Sequence, residues 1–358
     1  MVYFINNDDV QRLMSVKDCM DAIEDAYREW DAGQAAIRPK TSLYIYNRDQ
    51  ETRYNFTSME GAVEKLGIFA IRMRSDIERR LSPAVMGRLP AGGEKGYCGL
   101  IVLFSTKTKS PLAIINDGFI QHARVAACAG IAAKYLARED ASVLCLLGSQ
   151  WMARTHIMAF HQVRPIKRVQ VYSPTKQNRE AFAKEFTGRL DIEVRPMERP
   201  EDAVRGAHIV ACCTDSHRNA VLKGAWLEEG MFVSDVLAAE LDDEALERMD
   251  YTVKNQPLRN LEAAVSIGGR APEGVAPPSE GRGWLRQVND QTPLLSSVIV
   301  GKARGRKSPG EITFFSNNEG TGVQFAAAGS VILSKLKETG LGGVKEIPDE
   351  WFFQEIPD

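Results

Sequence analysis

Few of the usual signposts of function are present in this chain. Its 358 residues include six cysteines but no CxxC pair, and five histidines with no HExxH or other ligand spacing. Cysteines inside apolar runs, such as Cys128, Cys145, Cys212 and Cys213, read as reduced core thiols rather than a disulfide framework or a metal cluster. His156 and His161 stand five apart, which does not set them squarely on one helical face, so no metal site is expected. No stretch approaches the roughly 18–20 consecutive apolar residues of a membrane span. The opening MVYFINNDDVQRLM lacks the basic and then apolar layout of a signal peptide. Charge of neither sign dominates: 45 basic and 47 acidic side chains leave a net charge of -2. Nucleic acid and anionic membranes therefore have no electrostatic claim on it. Internal repeats and long low-complexity segments are absent too. What remains is a soluble, cytoplasmic protein.

What is there begins with 44% apolar residues, enough for a substantial core, over a length that suits about two domains. Residues 7–31 carry a helical apolar spacing. From Thr41 to about Met73 the pattern becomes strand-like, in LYIYN, RYNFTSM and GIFAIRMRSD. Residues 77–96, with two prolines and several glycines, read as loop. GLIVLFS and PLAIIND flank the turn TKTKS and suggest a small antiparallel sheet, followed by an alanine-rich helix in QHARVAACAGIAAKYLARED. After Ala141 the rhythm changes to strand, helix, strand: SVLCLL, WMARTHIMAFHQV, RVQVYS, TKQNREAFAKEF. DIEVRP, HIVACCT, MFVSDV and YTVKN follow as further strands. This alternation predicts an α/β fold with a doubly wound parallel sheet of Rossmann type. Residues 268–283 read as a loop or linker, and Gly322 to Thr339 as one more helix, packed on the first domain.

The junction LLGSQWMARTH has the layout of a dinucleotide turn. In such turns a first glycine makes the bend, a second lets backbone approach the pyrophosphate, and a third small residue packs helix on strand. Here those positions are Gly148, Gln150 and Ala153. The main-chain amides of Ser149, Gln150, Trp151 and Met152, with the helix dipole, would hold phosphates. The Gln150 side chain either points away and leaves that site open or occupies it. At the end of the next strand an acidic residue would select NAD. This chain has YSPTKQNRE instead, so Ser173, Thr175, Lys176 and Arg179 favour the 2′-phosphate of NADP, with NAD possible. The alternative is a solvated helix start capped by Ser173 or Thr175. Thr214, closing HIVACCT, is a further cofactor-site candidate.

Over nearly its whole length the chain resembles the ornithine cyclodeaminase and mu-crystallin family of NAD(P)-dependent enzymes. The likeness is carried by GLIVLFSTKTKSPLAIINDGFIQHARVAACAGIAAKYLARED, by LLGSQWMARTH (usually GxGxQA in the family) and by WLEEGMFVSDVLAAELDDEAL with its Glu-Leu-Asp. NNEGTGVQFAAAGSVIL and IPDEWFFQEI resemble a branch that often carries the label of a tyramine oxidase component. The resemblance implies a substrate-binding and dimerisation α+β domain in residues 1–125 with 320–358, a Rossmann domain in 126–319, and a homodimer. It implies hydride exchange between a nicotinamide and the α-carbon of an amino or imino acid, as in ketimine reductases and amino acid dehydrogenases. By motif, Arg38, Arg72 and Arg124 would hold the substrate carboxylate, which a guanidinium grips as a bidentate fork. A charge at Arg72, just after GIFAI, is costly unless paired, whether by substrate or by an acid such as Asp76. Arg124 reads as the start of its helix, where the dipole would add attraction for an anion.

Three departures from the family pattern bear on the chemistry. Arg72 replaces the usual lysine and cannot exchange a proton near neutral pH. Ala239 stands where cyclodeaminases carry a catalytic aspartate, with Leu237 in place of a glycine before it; Asp235 is the nearby acid. Gln150 is the third. The missing aspartate favours imine reduction or amino acid oxidation over cyclodeamination of ornithine. A non-catalytic small-molecule-binding homologue is the other alternative, which Gln150 would support.

Overall fold

The strand-like alternation of the first third and the strand–helix rhythm after Ala141 fold into two separate sheets. The structure is a computed structural model, and it describes residues 1–48, 51–82, 85–88, 98–216, 219–257, 263–267, 288–318, 320–340 and 344–353. In chain order its elements are β1 (Val2–Ile5), α1 (Asn7–Leu13), α2 (Val16–Asp31), β2 (Ala35–Tyr46), β3 (Thr52–Val63), β4 (Ile68–Ser82), β5 (Val85–Arg88), β6 (Cys98–Ser105), β7 (Pro111–Asn116) and α3 (Gly118–Leu136). Then come β8 (Val143–Leu147), α4 (Trp151–Val163), β9 (Arg168–Tyr172), α5 (Lys176–Leu190), β10 (Glu193–Pro196), α6 (Pro200–Val204), β11 (Ile209–Cys212), β12 (Phe232–Ser234), α7 (Asp243–Glu247) and β13 (Tyr251–Lys254). The remainder is β14 (Ala263–Ile267), α8 (Leu295–Ile299), β15 (Thr313–Ser316), α9 (Gly322–Thr339) and β16 (Lys345–Ile347). Among the described residues, no helix is long and apolar enough to cross a membrane.

One unit comprises Met1–Arg124, Asn260–Val275 and Thr321–Asp358. Its sheet runs β14-β2-β3-β4-β6-β7-β1-β16, with β5 on β4. It is larger than the small antiparallel sheet expected and not wholly antiparallel, since β1 pairs β7 and β14 pairs β2 in parallel. β14 joins this unit by extending its edge alongside β2. The helical stretch 7–31 is two helices: Met14 is extended, and Ser15 starts α2 with a capping box to Asp18. α2 then buries Val16, Cys19, Met20, Ile23, Ala26 and Tyr27, one face at helical spacing. The loop expected over 77–96 is corrected at 77–82 and 85–88, while 83–84 and 89–96 lie outside the described residues. Residues 77–82 continue β4 and 85–88 form β5, because pairing with β3 runs out to Thr52 opposite Arg79 and supplies the ladder that polar IERR does not advertise. α9 packs on β3 at two glycines: a Cβ on Gly61 would lie 2.5 Å from the Val323 nitrogen, and one on Gly322 would lie 1.9 Å from the Glu60 carbonyl carbon.

The other unit comprises Val125–Arg259 and Ala276–Gly320. Its seven strands are ordered β10-β9-β8-β11-β12-β15-β13, every pairing parallel. This is a doubly wound sheet of Rossmann type, as the strand–helix alternation predicts. β8 and β11 are almost wholly buried, which explains their continuous apolar runs. β15 carries no alternation of its own and was not expected as a strand; it takes the slot between β12 and β13. The linker expected at 268–283 lies outside the described residues.

Candidate functional site

In the parallel-sheet unit, Gly148 ends β8 with φ +125°, and a Cβ there would lie 2.3 Å from the carbonyl oxygen of Cys213. Only glycine fits this bend. Ala153, at the third position, is fully buried where α4 meets the sheet. Gln150, at the second, has φ −93° and ψ −164°, an ordinary extended backbone, and its side chain is exposed without capping α4. The first turn of α4 holds no acidic residue, and Trp151 is half-exposed beside Met152. The residues present therefore fit a dinucleotide pyrophosphate.

Beyond the turn, Ser149 Oγ donates to Ser173 Oγ (3.0 Å), and Ser173 Oγ donates to the Thr175 carbonyl (3.2 Å). Ser173 thus ties the end of β9 to the turn. Arg179 is drawn to the same place, its Nη1 donating to the Ser173 carbonyl at 3.0 Å. Lys176 pairs with Glu180 at 3.7 Å, both exposed. Thr175 caps α5 by position, with no side-chain cap bond.

Thr214 is tied to a buried acid that the residue-by-residue reading passed over. Glu240 Oε1 accepts from the Thr214 amide (2.8 Å) and hydroxyl (2.6 Å), and Oε2 from the amides of Val236 (2.8 Å) and Leu237 (2.9 Å). It laces the segment after β11 to the one after β12. Burial pushes its carboxyl above the ordinary glutamate value, against the pull of those donors. Asp235 is fully buried too. Its Oδ1 accepts the Asn317 amide at 2.8 Å, and Asn317 Nδ2 donates to the Val125 carbonyl at 2.8 Å.

In the mixed-sheet unit, two predicted arginines converge. Arg72 and Arg124 are 3% and 4% exposed, and their guanidinium carbons lie 6.0 and 5.5 Å from the ring centre of Phe325 on α9. The acid facing Arg72 is Asp117, not Asp76: Nε and Nη2 reach its Oδ2 at 2.7 and 2.6 Å. Asp117 fits because β6 carries glycine opposite it; a Cβ on Gly99 would sit 1.8 Å from Asp117 Oδ1. Arg124 donates to Gln324 Oε1 and Gln121 Oε1, both at 3.0 Å. Gln324 in turn donates to the buried Tyr27 hydroxyl at 2.6 Å. These amide oxygens orient the guanidinium. Arg124 is not at the helix start, as read from the sequence. α3 begins at Gly118, and Asn116 and Asn7 accept the amides of Gly118 and Phe119. Helix-dipole attraction fades beyond the first turn, so burial and partners decide the role of Arg124. Arg38 has different surroundings: its side chain is 69% exposed and ion-paired with Glu60.

The profile of the ornithine cyclodeaminase/mu-crystallin family matches residues 3–340. The chain belongs to that family. It is similar to the alanine dehydrogenase of Archaeoglobus fulgidus, 27% identical over 347 residues that cover 94% of this chain and 96% of the relative. Two solved structures share the fold. One is the Thermococcus litoralis Δ(1)-pyrroline-2-carboxylate reductase in complex with NADH and L-proline (TM-score 0.78, 24% identity, 97% and 100% of the two chains). The other is an archaeal alanine dehydrogenase dimer with bound NAD (TM-score 0.77, 23% identity, 96% and 99%).

Asp117, Gln324, Tyr27 and Glu240 were not singled out from the sequence. The available signals were small. Asp117 closes the apolar strand PLAIIND opposite a glycine, and Glu240 begins the Glu-Leu-Asp quoted for the family. Asp242 of that motif accepts the amides of Gly224 (2.9 Å) and Ala245 (2.8 Å), capping α7.

Proposed function

We propose that this chain is a nicotinamide-dependent oxidoreductase that exchanges hydride at the α-carbon of an amino or imino acid, working as a ketimine reductase or amino acid dehydrogenase. The observation that carries this reading is the pair of buried guanidiniums, Arg72 and Arg124, on one phenyl ring, in a family member whose other unit offers the turn at Gly148. Arg124 supplies the fork for the substrate carboxylate. Arg72, balanced by Asp117, adds further donors. Arg72 exchanges no proton near neutral pH, so the proton for the reaction comes from water or from a group outside this pair. When bound, the dihydronicotinamide supplies the hydride. The amides of Ser149, Gln150, Trp151 and Met152 would hold the dinucleotide's phosphates.

NADP is the preferred form. Arg179, fixed at the Ser173 carbonyl, and the Thr175 hydroxyl, which makes no cap bond, stand after β9 where they would meet a ribose 2′-phosphate, and no acid replaces Ser173. Cyclodeamination is disfavoured by Ala239. The nearest acid, Glu240, is committed to four donors of its own unit.

Two copies pair, on this reading, through the mixed sheet. Leu43, Ile45, Ile77, Leu100 and Ile267 are 37–61% exposed. Ile45 lies opposite both Tyr54 and Ile267, and Tyr54 opposite Ile77, so one face carries a continuous apolar row. Six cysteines in the thiol form, five of them buried, suit a reducing cytoplasm.

Nicotinamide fluorescence during titration with NADPH and NADH tests the central claim. The expected result is tighter binding of NADPH, with Arg179→Ala narrowing the difference. NADPH oxidation should then follow addition of cyclic or linear imino acids. Binding of neither coenzyme would leave a non-catalytic small-molecule-binding homologue, and ammonia release from ornithine would point to a cyclodeaminase. Sedimentation of Ile45→Glu should show a monomer where the wild type is a dimer.

A further inference from the structure

A groove of about 550 Å³ opens at the C-terminal end of α3 in the parallel-sheet unit. Five cationic side chains line it: Lys134, Arg138, Arg164, Arg306 and Lys307. Two acids, Glu139 and Asp140, line it with them, and Glu311 accepts the Lys307 amide beside it. In a chain of net charge -2 this is a local reversal of sign.

Two of the five cations are explained by the helix end. Arg164 donates to the carbonyls of Lys134 (2.9 Å), Ala137 (2.9 Å) and Arg138 (2.7 Å). Arg306 donates to the carbonyls of Leu136 (2.6 Å) and Met231 (3.1 Å) and to Thr313 Oγ1 (2.9 Å). These bonds satisfy the terminal carbonyls of α3. Two whole positive charges also outweigh the roughly half negative charge of a helix C-terminus. Burial, with Arg138 and Arg164 nearby and despite Glu311, lowers the Arg306 guanidinium to about 10.

The other three cations are more accessible. Lys134 and Lys307 are exposed, Lys134 Nζ standing 5.6 Å from the Tyr135 ring centre, and Arg138 Nε stands 3.3 Å from Asp140. Tyr135 and Pro309 add an apolar wall. The groove is also distinct from the dinucleotide turn. Asp140 lies just before β8 and Gly148 just after it, so the two sites sit at opposite ends of the same strand, roughly 15–20 Å apart at about 3.3 Å per residue.

We propose that this groove binds a small organic phosphate, with Lys134, Arg138 and Lys307 on the phosphate and Tyr135 and Pro309 against its apolar part. The volume lies within the span of small-molecule sites, and three cations on its wall suit a dianion. The proposal does not depend on the oxidoreductase reading.

Calorimetric titration with inorganic phosphate and with phenyl phosphate tests it, each with and without saturating NADPH. One site is expected, unaffected by NADPH, with phenyl phosphate binding several-fold tighter than phosphate. Lys134→Glu combined with Lys307→Glu should weaken it at least tenfold. Both lysines are exposed, and Lys134→Gln with Lys307→Gln keeps the test decisive if charge reversal impairs folding. Absence of binding, displacement by NADPH, equal affinity for the two probes, or indifference to the lysine variants would each overturn the proposal.

Discussion

The turn at Gly148 makes a sharp demand at its first position and none at its second, and a pair of variants can expose the difference. In Gly148→Ala the new side chain must adopt φ +125°, a region that costs a non-glycine residue about 1–3 kcal/mol. Its Cβ would also stand 2.3 Å from the Cys213 carbonyl oxygen and 2.8 Å from the carbonyl carbon. Cys213 cannot retreat without stretching its own amide bond to the Leu147 carbonyl, now 2.7 Å, which contributes about 1 kcal/mol. Together the change should cost about 3–5 kcal/mol, in the range of strained core substitutions. For a unit of this size that lowers the melting temperature by about 6–20 °C. Gln150→Gly changes an exposed residue with ordinary dihedrals at an N-cap position that glycine also fills well. It should stay within about 1 kcal/mol of the wild type and bind NADPH within about twofold. Thermal melts followed by circular dichroism, with NADPH titration of each variant, measure both effects. If Gly148→Ala melts within about 2 °C of the wild type, or if Gln150→Gly raises NADPH affinity by tenfold or more, the reasoning about this turn is wrong.

Three further outcomes follow from the same geometry. Arg124→Lys keeps a charge but loses the fork on Gln324 and Gln121; kcat/KM should fall by about 10–100-fold with NADPH affinity unchanged, and a change below threefold would remove Arg124 from the substrate site. Glu240→Gln turns an NH2 group toward amide donors at one of its two oxygens; urea unfolding should show a loss of about 2–4 kcal/mol, and undiminished stability would refute the lacing role. His208 accepts the Ser142 amide at Nδ1 (2.9 Å), and burial, aided by Arg138, lowers its folded pKa below 6.5. Its neutral form is the stabilising one, so its contribution is complete above pH 6.5 and declines as pH falls below that value. His208→Asn, whose side-chain oxygen can take the same amide, should therefore lose less stability than the wild type between pH 7 and 5.5, and equal losses would count against the assignment.

Much of the parallel-sheet unit was legible because its information is local. β8, α4, β9 and α5 announce themselves by period and by run length, and Gly148 and Ala153 by their places between strand and helix. The same holds for α9, which spans the residues its periodicity marks. What could not be read was whatever depends on partners far along the chain. The acid for Arg72 is 45 residues away, on the far side of a strand pair, so a nearer carboxylate, Asp76, looked equally suitable. The amide that orients Arg124 comes from 200 residues downstream. β15 and β14 have weak patterns, and they are strands because a neighbouring ladder offers them bonds.

The sequence by itself determined the class of the fold and the bend at Gly148, since each follows from chemistry carried by a few adjacent residues, while Arg38, Arg72 and Arg124 became candidate anion holders through their likeness to the family's motifs. Only the tertiary structure decided that Gln150 sits exposed in an ordinary extended backbone, that Arg72 is answered by Asp117, that Glu240 is locked among amides, and that five cations gather at the end of α3. Those outcomes rest on the packing of distant segments, where the cost of burying a charge is settled by whichever partner the folded chain brings within reach.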